Sequence, residues 1–299
     1  MSEFTSFDPY ELPQKERHGY LLTAVAPRPI AFASTVDTEG NVNLSPFSYF
    51  NVFSTNPPVV VFSPTRRGRD NTTKDTHNNL LQVKETVISI VNYPMVEQMS
   101  LSSTAYDKGV NEFVKAGFTQ IASDKVKPPR VGEAPVSFEC VVDDMIELGD
   151  EGGAGTLVVC RVVQIHLRNE YLDEEGKLDP LKLNLVGRMG GIWYTKTNQD
   201  SMFEIPKPLR KKGIGVDQLP EAIRNSAVLT GNNLGRLANI EQLPTQEEIQ
   251  LTLVETNLNR SLDKLAQLPE NERLPSRHFL AQEVLEAGDI MGAWAVLLS

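Results

Sequence analysis

Two neighbouring stretches in the first third of the chain combine residue types that can hold a phosphorylated aromatic group. One is a basic loop, Thr65-Arg-Arg-Gly-Arg-Asp-Asn-Thr-Thr-Lys-Asp-Thr76, in which Arg66, Arg67, Arg69 and Lys74 fall within nine residues and Thr72, Thr73 and Thr76 add hydroxyls. It runs into a helical pattern expected to begin near Lys74 or Asp75. A helix N-terminus offers free backbone N–H groups and the positive end of the helix dipole, both suited to a phosphate. Arginine adds planar, bidentate donors. A cluster of basic residues is also what a solvated surface loop looks like, so the loop alone leaves both readings open.

The other stretch is Asn43-Leu-Ser-Pro-Phe-Ser-Tyr-Phe50, which mixes a strand with Pro46, two further serines after Asn43, and three aromatics, Phe47, Tyr49 and Phe50. Proline interrupts ladder donation, so nearby backbone N–H groups are free to face a ligand. A flavin ring needs such a wall: apolar surface for its faces and backbone amides for its polar edge. An ordinary buried hairpin with an irregular end accounts for the same residues equally well. Ser34 and Thr35 close the preceding strand, where their hydroxyls suit a ribityl chain, a phosphate or simply local backbone.

Other chemistries have weaker support. No G-x-G-x-x-G links a strand to a helix, and there is no G-x-x-x-x-G-K-[ST] or G-x-S-x-G. Gly152, Gly153 and Gly155 fit a hairpin turn better than a phosphate loop. The four histidines, His18, His77, His166 and His278, show no metal-ligand spacing, and no metal is expected. Cys140 and Cys160 read as two reduced, buried thiols. With 299 residues, 40% of them hydrophobic, the chain can bury a substantial core. A net charge of −10 argues against a nucleic-acid or anionic-membrane binder. No signal peptide and no apolar run near the length of a membrane span are visible, so a cytoplasmic protein is expected.

The elements that must position these residues are mainly β from about residue 20 to 197. Strands are expected at Ile30 to Val36, from Val42 to Pro46, at Phe50 to Ser54, Val59 to Ser63, Thr86 to Asn92, Val136 to Val142 and Thr156 to His166. Turns fall at 37–41 and 149–155, and short helical patterns at about 75–84, 95–102 and 110–116. Many strands with few helices argue for a closed or Greek-key β-barrel rather than a doubly wound sheet. Strand signals end near residue 200. Pro220 precedes a short helix, Thr245-Gln-Glu-Glu248 fits a capping box, and Ile249, Leu251, Leu253, Val254, Leu258, Leu262 and Leu265 continue a helical stripe. Ser276 is positioned to cap another helix, and 290–298 to form a last one. The chain is thus expected to divide into residues 1–199 and an all-helical extension, 200–299, that packs on the barrel or on a second subunit.

At Arg28-Pro-Ile-Ala-Phe-Ala-Ser-Thr35, Asn43-Leu-Ser-Pro-Phe-Ser-Tyr-Phe50, Pro57-Pro-Val-Val-Val-Phe-Ser63, Lys74-Asp-Thr76 and Gly187-Arg-Met-Gly-Gly-Ile-Trp-Tyr194 the chain resembles the flavin reductase-like, FMN-binding split-barrel family, which includes flavoredoxin-type proteins. The resemblance covers roughly residues 15–197 and implies a six-stranded split barrel with peripheral helices, a homodimer and one FMN per subunit. It implies that Ser34 and Thr35 contact the phosphate or ribityl end. Ser45, Pro46, Phe47, Ser48, Tyr49 and Phe50 then line the ring, with Ser63 beside it. Arg69, Lys74, Asp75 and Thr76 close around the phosphate and ribityl hydroxyls. Arg188, Trp193 and Tyr194 stabilise the barrel or border the site. The implied activity is NAD(P)H oxidation through FMN, with electrons passed to a small-molecule or protein acceptor. An electron carrier without its own NAD(P)H site and a non-catalytic interaction protein are the rivals. A pyridoxal-phosphate-type oxidase on a related barrel fits the Ser45–Phe50 run less well.

Overall fold

The structure is a computed structural model that describes residues 3–107, 109–205 and 212–299. It resolves into two compact units, residues 1–203 and 204–299.

The first unit is built on one antiparallel sheet of seven strands: β1 Ala31–Val36, β2 Val42–Phe47, β3 Phe50–Thr55, β4 Pro58–Phe62, β5 Glu85–Ile90, β6 Val136–Glu147 and β7 Thr156–Leu167, in the order β2-β1-β5-β6-β7-β4-β3. This is the split-barrel architecture expected, close to the six strands the resemblance implies. The two edge strands, β2 and β3, follow each other in the chain with only Ser48 and Tyr49 between them. A short connection between opposite edges forces the sheet to curl until those edges lie side by side, which leaves a seam at Phe47–Phe50.

Each face of the curled sheet has its own core, and β1 serves both. All six of its residues are buried. Ala31 and Ala33 face a cluster with Phe47, Val60, Phe62, Leu80, Ile88, Val158, Cys140 and Cys160. Phe32 turns to the opposite cluster with Leu44, Met95, Met99, Phe113 and Phe118. Alternation of Cβ direction along a strand separates the two sets. The Phe32–Phe118 edge-on pair and the Phe47–Phe62 pair each have ring centroids 5.3 Å apart. Both thiols are free, and burial drives Cys140 up to about 12 and raises Cys160 well above the ordinary thiol value, so neither behaves as a thiolate.

Among the described residues, the helices of more than one turn in this unit are α1 Gln14–Ala24, α2 Asp75–Gln82, α3 Val96–Leu101 and α4 Glu112–Ala116, with a single turn at Pro180–Leu183. Helices α2, α3 and α4 lie where helical patterns were expected. The α4 N-cap is Asn111, whose side chain accepts from Phe113 N, and Gly117 ends the helix at φ +73°. The sequence reading missed α1. None of its residues is buried, so it carries no apolar stripe to read.

The second unit is all helical after a single turn at Glu221–Arg224: α5 Gly231–Leu237, α6 Gln246–Glu255, α7 Asn259–Leu265, α8 Glu270–Glu286 and α9 Ile290–Leu298. The Thr245–Glu248 capping box forms as expected, with Thr245 N donating to Glu248 Oε2 at 2.7 Å and Glu248 N to Thr245 Oγ1 at 3.3 Å. The apolar stripe from Ile249 to Leu265 is broken into α6 and α7 by Asn257 at φ +56°. Ser276 does not cap a helix. It lies inside α8, which starts at Glu270 and carries Pro275 internally, because the acidic first turn (Glu270, Glu272) and the buried face of His278, Ala281 and Leu285 favour the longer element. Ordered helix begins earlier than the serine signal suggests. Among the described residues no helix is long and apolar enough to cross a membrane.

Trp294 is fully buried at the centre of the helical unit, and its Nε1 donates to Leu237 O at 3.2 Å. Trp294→Ala is expected to destabilise that unit by about 3–5 kcal/mol, the usual range for emptying a large aromatic site. Urea denaturation followed by far-ultraviolet circular dichroism checks this.

Candidate functional site

The seam between β2 and β3 opens into a cavity of about 260 Å³ lined by Pro46, Phe47, Ser48, Tyr49, Ser63, Thr65, Arg66, Gly68, Lys74 and Gly153, and closed on one side by Gln14, His18 and Leu22. These last three are spaced by four residues, so one face of α1 forms that wall. A smaller polar cavity of about 70 Å³ shares Lys74 and adds Ser45, Arg67, Asp75, Thr76 and Glu112. A third, of about 410 Å³, shares Gln14, His18, Tyr49 and Gly153 with the first.

Eight of the residues singled out from the sequence therefore line the two cavities that meet at Lys74: Ser45, Pro46, Phe47, Ser48, Tyr49, Lys74, Asp75 and Thr76. Ser63 is the ninth. It follows β4, its N–H donates to Tyr49 O at 2.8 Å, and this bond ties the end of the strand to the seam. Its hydroxyl is buried with no hydrogen-bond partner among the described residues. An orphaned hydroxyl on a cavity wall is a position that a ligand atom can satisfy. Gly155 makes room for it, since a Cβ there would lie 2.6 Å from Ser63 Oγ.

The basic loop is folded by its own side chains. Arg66 donates to Asn71 Oδ1 at 2.7 Å and to Asn71 O at 2.8 Å, and Arg67 to Thr72 Oγ1 at 3.0 Å. Backbone bonds from Arg66 N to Ala154 O and from Gly153 N to Arg66 O join it to the 149–155 turn. Asp70 caps the loop, and its bonds from Thr72 and Arg69 hold its carboxyl down at about 2. Lys74 stands at the N-cap of α2 with no side-chain cap on that helix, its Nζ 4.8 Å from the centre of the Phe47 ring. Burial lowers its affinity for a proton, and the neighbouring Arg67 charge adds to this. Among the described residues no carboxylate lines the larger cavity of the pair. Two cations, a free helix N-terminus and hydroxyls form a donor set suited to an anion beside an aromatic wall.

Four expected contacts are placed elsewhere. Ser34 and Thr35 are fully buried and line none of these cavities. Ser34 Oγ donates to Pro129 O, and Thr35 Oγ1 accepts from Asn79 Nδ2 at 3.1 Å. Thr35 thus ties β1 to α2 and positions Lys74 indirectly. Arg69 points away, 76% exposed and paired with Asp70 at 3.0 Å, because the loop closes on Arg66 and Arg67 instead. Phe50 is half-buried and packs against the barrel core. Arg188 stacks on Tyr194 with 4.6 Å to the ring centre, and Trp193 is exposed. Residues the sequence reading did not single out are Gln14, His18 and Leu22, together with Glu112. Glu112 accepts from Leu44 N at 2.9 Å and from Asn43 Nδ2 at 3.0 Å, while Asn43 Oδ1 accepts from Thr76 Oγ1 at 2.7 Å. This chain locks β2 to the start of α2. Glu112 carries no motif, and its role follows only from the fold.

Among the described residues the fold also gathers one group with the arrangement of a metal site, Asp124, Glu139 and His166. Glu139 accepts from Asp124 N at 2.8 Å, Lys125 N at 2.6 Å and His166 Nε2 at 2.6 Å. Its burial opposes ionisation, and these bonds outweigh it to leave the carboxyl below its ordinary range. The carboxylate is satisfied by the protein, so the group reads as a clamp on the 124–126 turn.

A family model described as the flavin reductase like domain matches residues 24–186. An uncharacterized protein of Aquifex aeolicus is 38% identical over 176 residues, which is 59% of this chain and 87% of that protein. Among solved structures, nitrilotriacetate monooxygenase component B from Bacillus cereus is 31% identical with a TM-score of 0.63, over 69% of this chain and all of that one. The 2-nitrobenzoate 2-nitroreductase of Pseudomonas fluorescens is 25% identical with a TM-score of 0.59, over 70% of this chain and all of the other.

His77 on α2 and His278 on α8 are both held below the ordinary imidazole value of 6.5, chiefly by burial. As pH falls through about 6.5 the unfolded chain takes up protons that the folded chain refuses, so stability is full above that value and declines below it. Urea midpoints should fall from about pH 7 toward pH 5.5, and His77→Gln should flatten the slope.

Proposed function

The chain belongs to the flavin reductase-like family, and from that premise we propose that it is an FMN-binding oxidoreductase of the flavin reductase type. Hydride comes from NADH or NADPH, and electrons pass to a small-molecule or protein acceptor. The observation that carries the reading is the orphaned Ser63 hydroxyl on a wall of Phe47 and Tyr49, next to the buried Lys74 and the start of α2. Ser48, Ser63 and the seam amides hold the ring. Lys74, Arg67 and Thr76 hold the phosphate end, with Ser45 and Asp75 at the hydroxyls. Bound FMN supplies the reversible two-electron chemistry, which side chains do not. The protein contributes orientation and a positive field in a chain that is otherwise acidic. Barrel dimers of a cytoplasmic protein fit this reading, since many large apolar residues of the first unit, such as Val52, Phe53 and Ile165, are exposed. A flavin electron carrier without its own NAD(P)H site is the second reading, favoured by the lack of any separate dinucleotide motif.

Lys74→Ala and Arg67→Ala should each weaken FMN binding by about 1.5–3 kcal/mol, the worth of a hydrogen bond to a charged group. Arg69→Ala should leave affinity unchanged, and fluorescence titration of the apoprotein reads all three. Flavin absorbance that bleaches on anaerobic addition of NADH or NADPH supports the reductase. Absorbance that persists until dithionite is added supports the carrier, and a protein that takes up no FMN removes both.

A further inference from the structure

Arg28 is an unusual residue for its position. It precedes β1, is only 6% exposed, and among the described residues has no carboxylate partner. Buried cations are normally paired with an acid. This guanidinium is instead held by carbonyl oxygens. Nη1 donates to Leu22 O and to Val25 O, and Nη2 donates to Met189 O at 2.9 Å. The backbone adds a reciprocal pair, Arg28 N to Arg188 O at 2.9 Å and Arg188 N to Arg28 O at 2.8 Å.

Leu22 and Val25 sit at the C-terminal end of α1, where carbonyls lack helical partners and the dipole end is negative. A guanidinium there satisfies two of them at once and gains from the dipole. The helix has little else to hold it. No residue of α1 is buried, and Pro13 at its N-cap gives no side-chain cap. The Phe7–Tyr20 ring contact and the Arg17 bond to Pro9 O join it to the segment just before it, which is itself exposed. Yet its inner face, Gln14, His18 and Leu22, forms one wall of the cavity at the seam.

We propose that Arg28 is a positioning residue that fastens the C-terminal end of α1 to the 188–193 loop and so fixes the α1 wall of the flavin cavity. The part of this that concerns flavin rests on the reading above that FMN occupies the cavity; the fastening itself does not. Lysine replaces arginine only in part here, because one ammonium lacks the planar fork that reaches the helix end and the loop together.

The test uses the full chain carrying Arg28→Ala or Arg28→Lys, with hydrogen exchange and FMN titration as paired readouts. In Arg28→Ala, amides of 14–24 should exchange about tenfold faster while those of β1 and β5 keep their native rates. The FMN dissociation constant should rise about tenfold. Arg28→Lys should recover part of both, and it carries the same readouts if Arg28→Ala does not fold. Unchanged exchange in α1 overturns the fastening. Faster α1 exchange with unchanged FMN affinity overturns its link to the site. If the native chain takes up no FMN, the functional reading fails separately, and exchange in α1 still decides whether Arg28 anchors the helix.

Discussion

The first unit depends on one topological constraint: the two edge strands of its sheet are consecutive in the chain. Only Ser48 and Tyr49 join β2 to β3, although five strands lie between them in the sheet. The sheet must therefore curl on itself, and its edges cannot be zipped by a ladder at the point where the chain crosses. Pro46 removes one donor there. The aromatic side chains Phe47 and Tyr49 and the Ser63 hydroxyl are left bordering the same gap, which is where the cavity lies. A closed barrel hides its edges completely. This one keeps a short length of edge open and surrounds it with donors.

The donors are brought to the seam by polar links rather than by the core. Thr35 holds Asn79, Thr76 holds Asn43, and Asn43 holds Glu112. Together they set α2 so that its N-terminus, with Lys74, faces the seam. Burial raises the Glu112 carboxyl, while bonds from Leu44 N and Asn43 pull the other way. Removing that side chain would leave both donors unpaired, at about 1–3 kcal/mol for a buried group.

Much of the first unit was legible because its strands carry strong local signals. The β-branched run of β4, the glycine turn at Gly40 with φ +87° and the long β6–β7 hairpin were each placed within a few residues. That Ser45–Tyr49 and Lys74–Thr76 border neighbouring cavities follows a visible signal, the cluster of aromatic, proline and basic residues there. Ser34, Thr35 and Arg69 show the limit of that logic. A hydroxyl at a strand end serves a neighbouring element as readily as a ligand, and nothing in a basic loop says which arginine turns inward. The α1 wall was invisible for the opposite reason: a helix without a buried face leaves no periodic trace, and its placement rests on Arg28, far from the motif it serves. In the helical unit the capping box was legible, but the break at Asn257 and the run of α8 through Pro275 are set by packing.

The seam between β2 and β3 is the proposed flavin site. The most direct measurement is a crystal structure of the chain grown with FMN. In that crystal the ring should lie against Phe47 and Tyr49 with an atom bonded to Ser63 Oγ, and the phosphate within reach of Lys74, Arg67 and the α2 N-terminus. Flavin bound elsewhere, with Ser63 still unpartnered, would contradict this assignment.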